Sequence, residues 1–552
     1  MSQNGKLTDL TNRYLDTYND FYPHNASFLL GIHEYDGRVP DFSARSIATW
    51  KSELKIFLEE LHEIDPATLD KPDYFDYKLL ECSIEYELLR HGSLRYYERN
   101  PIMPYLYIFD VSNYLKRNYA PLEQRVEALC RHLEATPRLI DQLMQLLKPT
   151  PRAAIEIAIE TFSGFARFYQ GDLRKVDDLS DPALQERLDK ACAAAGVSLE
   201  RYVEFFKQQL HLGDEDFAIG PENYAAMLKW GDMVDLPLEE VLRIGMEDMA
   251  RNQAAIKEIC AQIAPGKSIK EVFDEMGAQH PANDAVVSTT RAYLDGIRQH
   301  LINADLVDVP DELNCIVEEM PPFMRWVFAD METPGPFEKI ATEAHFYITP
   351  ANEEWPAEQQ ERWLSRFNRY VIQVFSIHEA YPGHYLQHLH ARNSPSRASK
   401  NLVSYAFVEG WAHYCEQMML EEGYGKEDPA VYPKLRLAML QEALVRNCRY
   451  ICSLGLHTQG WSVEQALRFY QENAWMEEIT ARRETHRSTF DPGGLNYTLG
   501  KLLFYKLRES YKAEKGAAFD LRQFHNECIG YGMPPVPLLG TLLLENSAGP
   551  VL

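Results

Sequence analysis

Apolar residues recur at steps of three and four through about the first three hundred residues. Trp50, Leu54, Phe57, Leu58, Leu61 and Ile64 do so, and Leu122, Val126, Leu129 and Leu133 repeat the pattern. This is the period of helices that bury one face. A longer helix is punctuated as well: Asp235 is placed to cap it, Pro237 suits its first turn, and Pro265-Gly266 stops it. Its stripe is Leu238, Leu242, Met249, Ile256, Ile259 and Ile263. Strand signals concentrate in one place. Between Pro321-Pro322 and Pro350, the run Ala344-His345-Phe346-Tyr347-Ile348-Thr349 is aromatic and β-branched and ends where proline cannot donate to a ladder. From about residue 360 the helical pattern resumes, with breaks at Gly423, Gly425, Pro492-Gly493-Gly494 and Pro534-Pro535. The predicted fold class is mainly α with a small β-sheet, without a fixed-period repeat.

At 552 residues the chain is long enough for two to four packed units. Its 45% hydrophobic and 25% charged content excludes a mainly disordered protein. A net charge of −26 repels phosphate backbones and anionic lipid, so neither nucleic acid nor membrane is an expected partner. The longest apolar runs, Phe28 to Leu30 and Leu538 to Leu544, fall well short of the ~20 residues that cross a bilayer. No apolar segment follows Met1-Ser2-Gln3-Asn4-Gly5-Lys6, and nine scattered cysteines suit reduced thiols, so the expected compartment is the cytoplasm. Cys448 and Cys452 share a helix face and are read as core thiols ahead of a thiol metal site.

The chemistry concentrates in Ser376-Ile377-His378-Glu379-Ala380-Tyr381-Pro382-Gly383-His384. Metalloprotease helices place two histidines at i and i+4 with a carboxylate between them. Here the histidines stand at i and i+6, about 120° apart on a regular helix, and could not chelate together. Pro382 removes a backbone donor and Gly383 tolerates unusual angles, so the turn is expected to bulge and return His384 beneath His378. The competing pair His384 and His388 has true i,i+4 spacing but leaves Glu379 without a role. A second signal is Phe407-Val408-Glu409-Gly410-Trp411-Ala412-His413-Tyr414-Cys415-Glu416, in which Glu409, His413 and Glu416 share one face of a buried helix. Glu409 follows His384 by 25 residues, room for an antiparallel helix to return and supply a third ligand.

His-Glu-x-x-Pro-Gly-His with Glu-Gly-Trp-Ala resembles the bacterial DUF885 family, a mostly helical group related to gluzincin zinc metallopeptidases. The resemblance extends from Asn25-Ala26-Ser27 through Glu343 to Tyr347, Gly455-Leu456-His457 and Gly460-Trp461 to Pro534 and Leu539. It implies one zinc per chain, ligated by His378, His384 and Glu409, with Glu379 as general base. His413 and Glu416 are expected to support the ligands from behind. Where the pattern would have Pro-Gly-Gln, this chain has Pro492-Gly493-Gly494, which puts the surroundings of Tyr497 in question.

The expected activity is hydrolysis of peptide bonds in short peptides. Zinc would acidify a water, and Glu379 would take its proton and pass it to the leaving amine. His457, Arg487 and Tyr497 are the candidate donors to the oxyanion. Ala344, His345, Phe346 and Tyr347 are expected to form an edge strand that binds an extended peptide. Residues 1–310 would form a helical wall of a deep cleft, and residues 311–552 a catalytic region with the edge strand, the metal-binding helices and the C-terminal helices. Two rival readings are a zinc amidohydrolase of a small metabolite and a non-catalytic helical binding protein; retention of Glu379 speaks against the second.

Overall fold

The apolar stripes fold as helices. Ala44–His62 buries Trp50, Leu54, Phe57 and Leu61, and Leu122–Leu146 buries Val126, Leu129 and Leu133. The long helix runs Leu238–Ile263 and buries Met249, Ile256 and Ile259. Its cap differs from expectation. Pro237 itself occupies the capping position, while Asp235 lies too early to reach the first turn and pairs with Lys229 at 3.0 Å. The computed structural model describes residues 3–148, 150–211, 216–311, 313–321, 325 and 328–545. Met1, Ser2 and Pro322, used above, lie outside them. The described residues form 25 α-helices, several short 3-10 turns and one three-stranded sheet, so the fold is mainly α.

Three apolar cores organise the chain. The largest runs from Phe217 to Leu544, across the expected boundary near residue 310, so that Ile297 and Leu301 pack in one core with Phe346 and Ile377. A second, from Tyr22 to Phe206, is completed by Ala341 and Phe490, and a third, from Leu7 to Ile84, by Ala398, Leu402 and Leu538. The N-terminal helices are therefore closed by residues from the far end of the chain.

The sheet comprises β1 (Cys315–Glu319), β2 (Ala329–Glu332) and β3 (Ala344–Ile348), in the order β1-β3-β2. β3 runs parallel to β1, with Cys315 opposite Ala344, and antiparallel to β2, with Asp330 opposite Tyr347. This corrects the expected edge strand. Ala344, His345, Phe346 and Tyr347 lie in the central strand, wholly buried, with both ladders taken. Among the described residues β1 and β2 are the two edges of the sheet, and β2 is the one that packs beside the helix carrying His378. β1 is backed by the helix Val286–Asn303.

Six later helices position the site: α1 (Arg369–Glu379), α2 (His384–Ala391), α3 (Tyr405–Glu421), α4 (Tyr432–Thr458), α5 (Glu478–Phe490) and α6 (Asn496–Lys515). α3 and α6 meet at two glycines. A Cβ on Gly410 would lie 2.4 Å from Gly500 Cα, and one on Gly500 would lie 1.8 Å from the Ala406 carbonyl oxygen. Only hydrogen fits, and this close approach brings Tyr497 of α6 alongside Glu409 of α3. Gly500→Ala should accordingly destabilise the fold by about 3 kcal/mol or more. An unchanged denaturant midpoint would show that the two helices can separate without loss.

Candidate metal centre

α1 is capped by Asn368, whose side chain accepts from the amides of Tyr370 and Val371, and it ends at Glu379. The expected bulge within one helix is instead a complete break followed by a new helix at His384. Two extra residues exceed what one distorted turn absorbs, and Pro382 has no amide to continue the ladder. The backbone bridges the excess with bonds six residues apart: Gly383 N–H donates to Ile377 and Leu386 N–H to Ala380. The Tyr381-Pro382 peptide bond is cis. Trp411 of α3 donates its indole N–H to the Pro382 carbonyl at 2.9 Å, which ties the break to the next helix. The two imidazole rings end 4.8 Å apart and nearly perpendicular, at 82°.

Among the described residues, one group of metal-type ligands converges. One atom each of His378, His384 and Glu409 lies within 4.8 Å of the others. Glu409 Oε2 stands 3.4 Å from His378 Nε2 and 3.6 Å from His384 Nε2. It is buried and has no hydrogen-bond partner among the described residues. Two ring nitrogens and a carboxylate facing one point without bonding one another suit a borderline-soft cation such as zinc. Burial pushes the Glu409 carboxyl upward, but the imidazoles of His378 and His384 more than offset it and hold it well below the usual range. Protons would therefore compete with any metal ion for the same three side chains.

A second layer orients His378. Its Nδ1 faces Glu416 Oε1 at 2.7 Å, which leaves Nε2 toward Glu409. Glu416 is wholly buried and also meets Arg446 at 3.0 Å and His413 Nδ1 at 3.2 Å. Burial opposes its charge, but Arg446 and His413 hold the carboxyl far below its ordinary value. Such a carboxylate fixes the ring and raises its basicity. Glu416→Gln should weaken metal binding about 10–100-fold while the fold persists, as read by competition with a chelator. An unchanged affinity would make this layer simple packing.

The other anticipated residues divide into two groups. Glu379, half-buried, closes α1 next to His378. Asp330 of β2 lies within its electrostatic reach, and burial together with the Glu379 charge pushes the Asp330 carboxyl up to about 7. Tyr497 bonds Tyr405 through their hydroxyls at 3.1 Å, and Glu409 is close enough to raise both phenols further above what burial does. Arg487 pairs with Asp491 at 3.1 Å on the side of the same two tyrosines. His457 stands apart. Its Nε2 meets the Ser488 carbonyl at 2.8 Å beside Phe217 and Tyr224, and no hydrogen bond or ion pair among the described residues links it to the three convergent side chains. His388 likewise is not one of the convergent group. Tyr405, Arg446, Asp330 and Tyr107 were not anticipated. Tyr107 is 51% exposed, yet Asp330, Glu409 and Tyr497 all act on its hydroxyl, so the N-terminal half brings it near the site.

The chain belongs to the family of bacterial proteins of unknown function DUF885, which it matches over residues 23–543. No curated protein matches it. Two solved structures share its fold. A candidate lipoprotein of unknown function from Shewanella oneidensis superposes with a TM-score of 0.79 at 24% identity, covering 98% of this chain and 100% of that one. Another candidate lipoprotein, from Colwellia psychrerythraea, gives 0.81 at 18% identity, covering 98% of each. Among the described residues no helix is long and apolar enough to cross a membrane.

Proposed function

We propose that this DUF885 protein is a zinc-dependent hydrolase of peptide bonds in short peptides, related to the gluzincin metallopeptidases and binding one metal per chain. The observation that carries the reading is the convergence of His378, His384 and Glu409 with Glu379 at the adjoining helix end. Those three side chains would hold the ion, which when bound supplies Lewis acidity toward a carbonyl and lowers the pKa of a water. Glu379 is the base that takes the proton from the attacking water and returns it to the leaving amine. The Tyr497 and Tyr405 hydroxyls, with Arg487 behind them, supply donors for the charge that develops on the carbonyl oxygen. His457 has the weakest claim of the anticipated donors. The open edge of β2, rather than β3, offers main-chain groups to an extended peptide. The N-terminal helices that carry Tyr107 form the facing wall and limit entry to flexible chains.

Metal analysis of the purified chain, followed by a peptide-library digest, tests the reading. About one equivalent of zinc and cleavage of oligopeptides are expected. Metal with turnover confined to a small non-peptide amide would promote the amidohydrolase reading, and metal without any turnover the binding protein. The compartment is read as the cytoplasm, supported by nine free cysteines, eight of them buried. The lipoprotein description of the two structural relatives supplies the alternative of a lipid-anchored chain, and fractionation of cells distinguishes the two.

A further inference from the structure

Arg366 lies in the turn Ser365–Phe367 that leads into α1. Its guanidinium carbon stands 4.3 Å from the centre of the Phe328 ring, immediately before β2, so the stacked ring holds it at the start of the open edge. The side chain is exposed, yet Glu442, Glu484, Arg449 and Arg483 all act on it. Of the two arginines that act on it, Arg449 holds Glu484 at 2.7 Å, while Arg483 has no ion pair among the described residues. Among the described residues, Arg366 has no carboxylate within bonding distance.

β2 orders this charge relative to the chemistry. Asp330, beside Glu379, follows Phe328 by two positions, and Glu332 at the far end is matched by Arg117 at 3.0 Å and Lys116 at 3.5 Å. A peptide antiparallel to β2 enters at the Glu332 end and leaves at the Phe328 end, so its carboxyl-terminal part points at Arg366. Strand direction and charge agree.

We propose that Arg366 recognises the free C-terminal carboxylate of the substrate, and that the site releases short fragments from the carboxyl end of peptides. The proposal rests on the peptide-hydrolase reading and assigns its substrate class. A planar guanidinium matches a carboxylate in a bidentate fork, and the Phe328 ring fixes its plane. The reach sets the fragment length. α1 advances nine residues from Arg369 to His378. A helical rise of ~1.5 Å per residue makes that on the order of 14 Å. About four extended residues fill it at ~3.3 Å each. The two positions from Phe328 to Asp330 set the lower bound, so fragments of about two to four residues are expected.

The test uses the full-length, zinc-loaded chain and peptides paired as C-terminal acid and C-terminal amide, with amidated peptides ending in glutamate as a third arm. The acid should show a KM about tenfold or more below its amide, and mass spectrometry should find the fragments coming from the carboxyl end. Arg366→Ala should abolish the preference, and Arg366→Lys should restore part of it. Equal turnover of acid and amide, or a preference that survives Arg366→Ala, would overturn the proposal and leave the hydrolase reading standing; so would amidated glutamate peptides used as well as free acids. If no peptide is hydrolysed, the hydrolase reading fails, and calorimetric binding of the same pairs to Glu379→Gln decides. Acid-selective binding lost in the Arg366→Ala double variant supports the recognition role, while equal or absent binding overturns it.

Discussion

Glu379→Gln should leave zinc stoichiometry and thermal stability close to wild type while lowering peptide hydrolysis by about 10²–10⁴-fold, on the order of 3–5 kcal/mol of activation free energy. The separation follows from where the side chain sits. Glu379 closes α1 beside His378 but is not one of the three convergent residues, so its loss removes no ligand. Gln keeps the shape and cannot take a proton. His378→Ala or His384→Ala should instead lose metal and activity together, because each removes one of two imidazoles facing Glu409. Inductively coupled plasma analysis and a progress curve on one oligopeptide measure both quantities on the same sample. If Glu379→Gln released zinc as readily as His384→Ala, the base would have to be sought elsewhere, with Asp330 the nearest carboxyl to examine.

The histidines and Glu409 were legible because their constraint is local. Two imidazoles with a Pro-Gly pair between them mark an interruption of the regular helix whatever surrounds it, though the spacing suggests a bulge where the chain makes a full break, and Glu409-Gly410-Trp411 combines a candidate ligand, a glycine for the approach of α6, and an indole that ties down Pro382. The strand arrangement was not legible, because Ala329-Asp330-Met331-Glu332 lacks the β-branched residues that mark a strand, and so the stronger β3 looked like an edge. Arg446 and Tyr107 belong to the site through tertiary contact alone. Arg446 reaches His378 across 68 positions of sequence, and Tyr107 comes to the site from the N-terminal half of the chain. His457 shows the converse. A histidine on an apolar helical face has the same spelling whether it serves chemistry or bonds a backbone carbonyl, and here it meets that of Ser488.

Gly383→Ala, a change of one methyl group, is expected to abolish metal binding. The residue sits at φ −65° and ψ −138°, so a left-handed backbone is not what requires glycine. Close approach is. A Cβ at this position would lie 1.8 Å from the His378 carbonyl oxygen and 2.5 Å from that of Ile377, both of them backbone atoms that no rotamer change can move. Relief needs a shift of more than an ångström between the end of α1, which carries His378, and the start of α2, which carries His384. Ligand distances tolerate only about 0.2 Å, so the metal site should fail before the core does. The methyl should cost about 3 kcal/mol of stability, a fraction of the consequence at the site. Chelator competition is expected to show a loss in zinc affinity exceeding 100-fold, more than the ~10–100-fold given above for Glu416→Gln. Circular dichroism should still report a helical protein. Wild-type affinity in a stably folded Gly383→Ala chain would mean that the break between the helices is not what sets the spacing of the two imidazoles, and that Trp411 and α3 hold it instead.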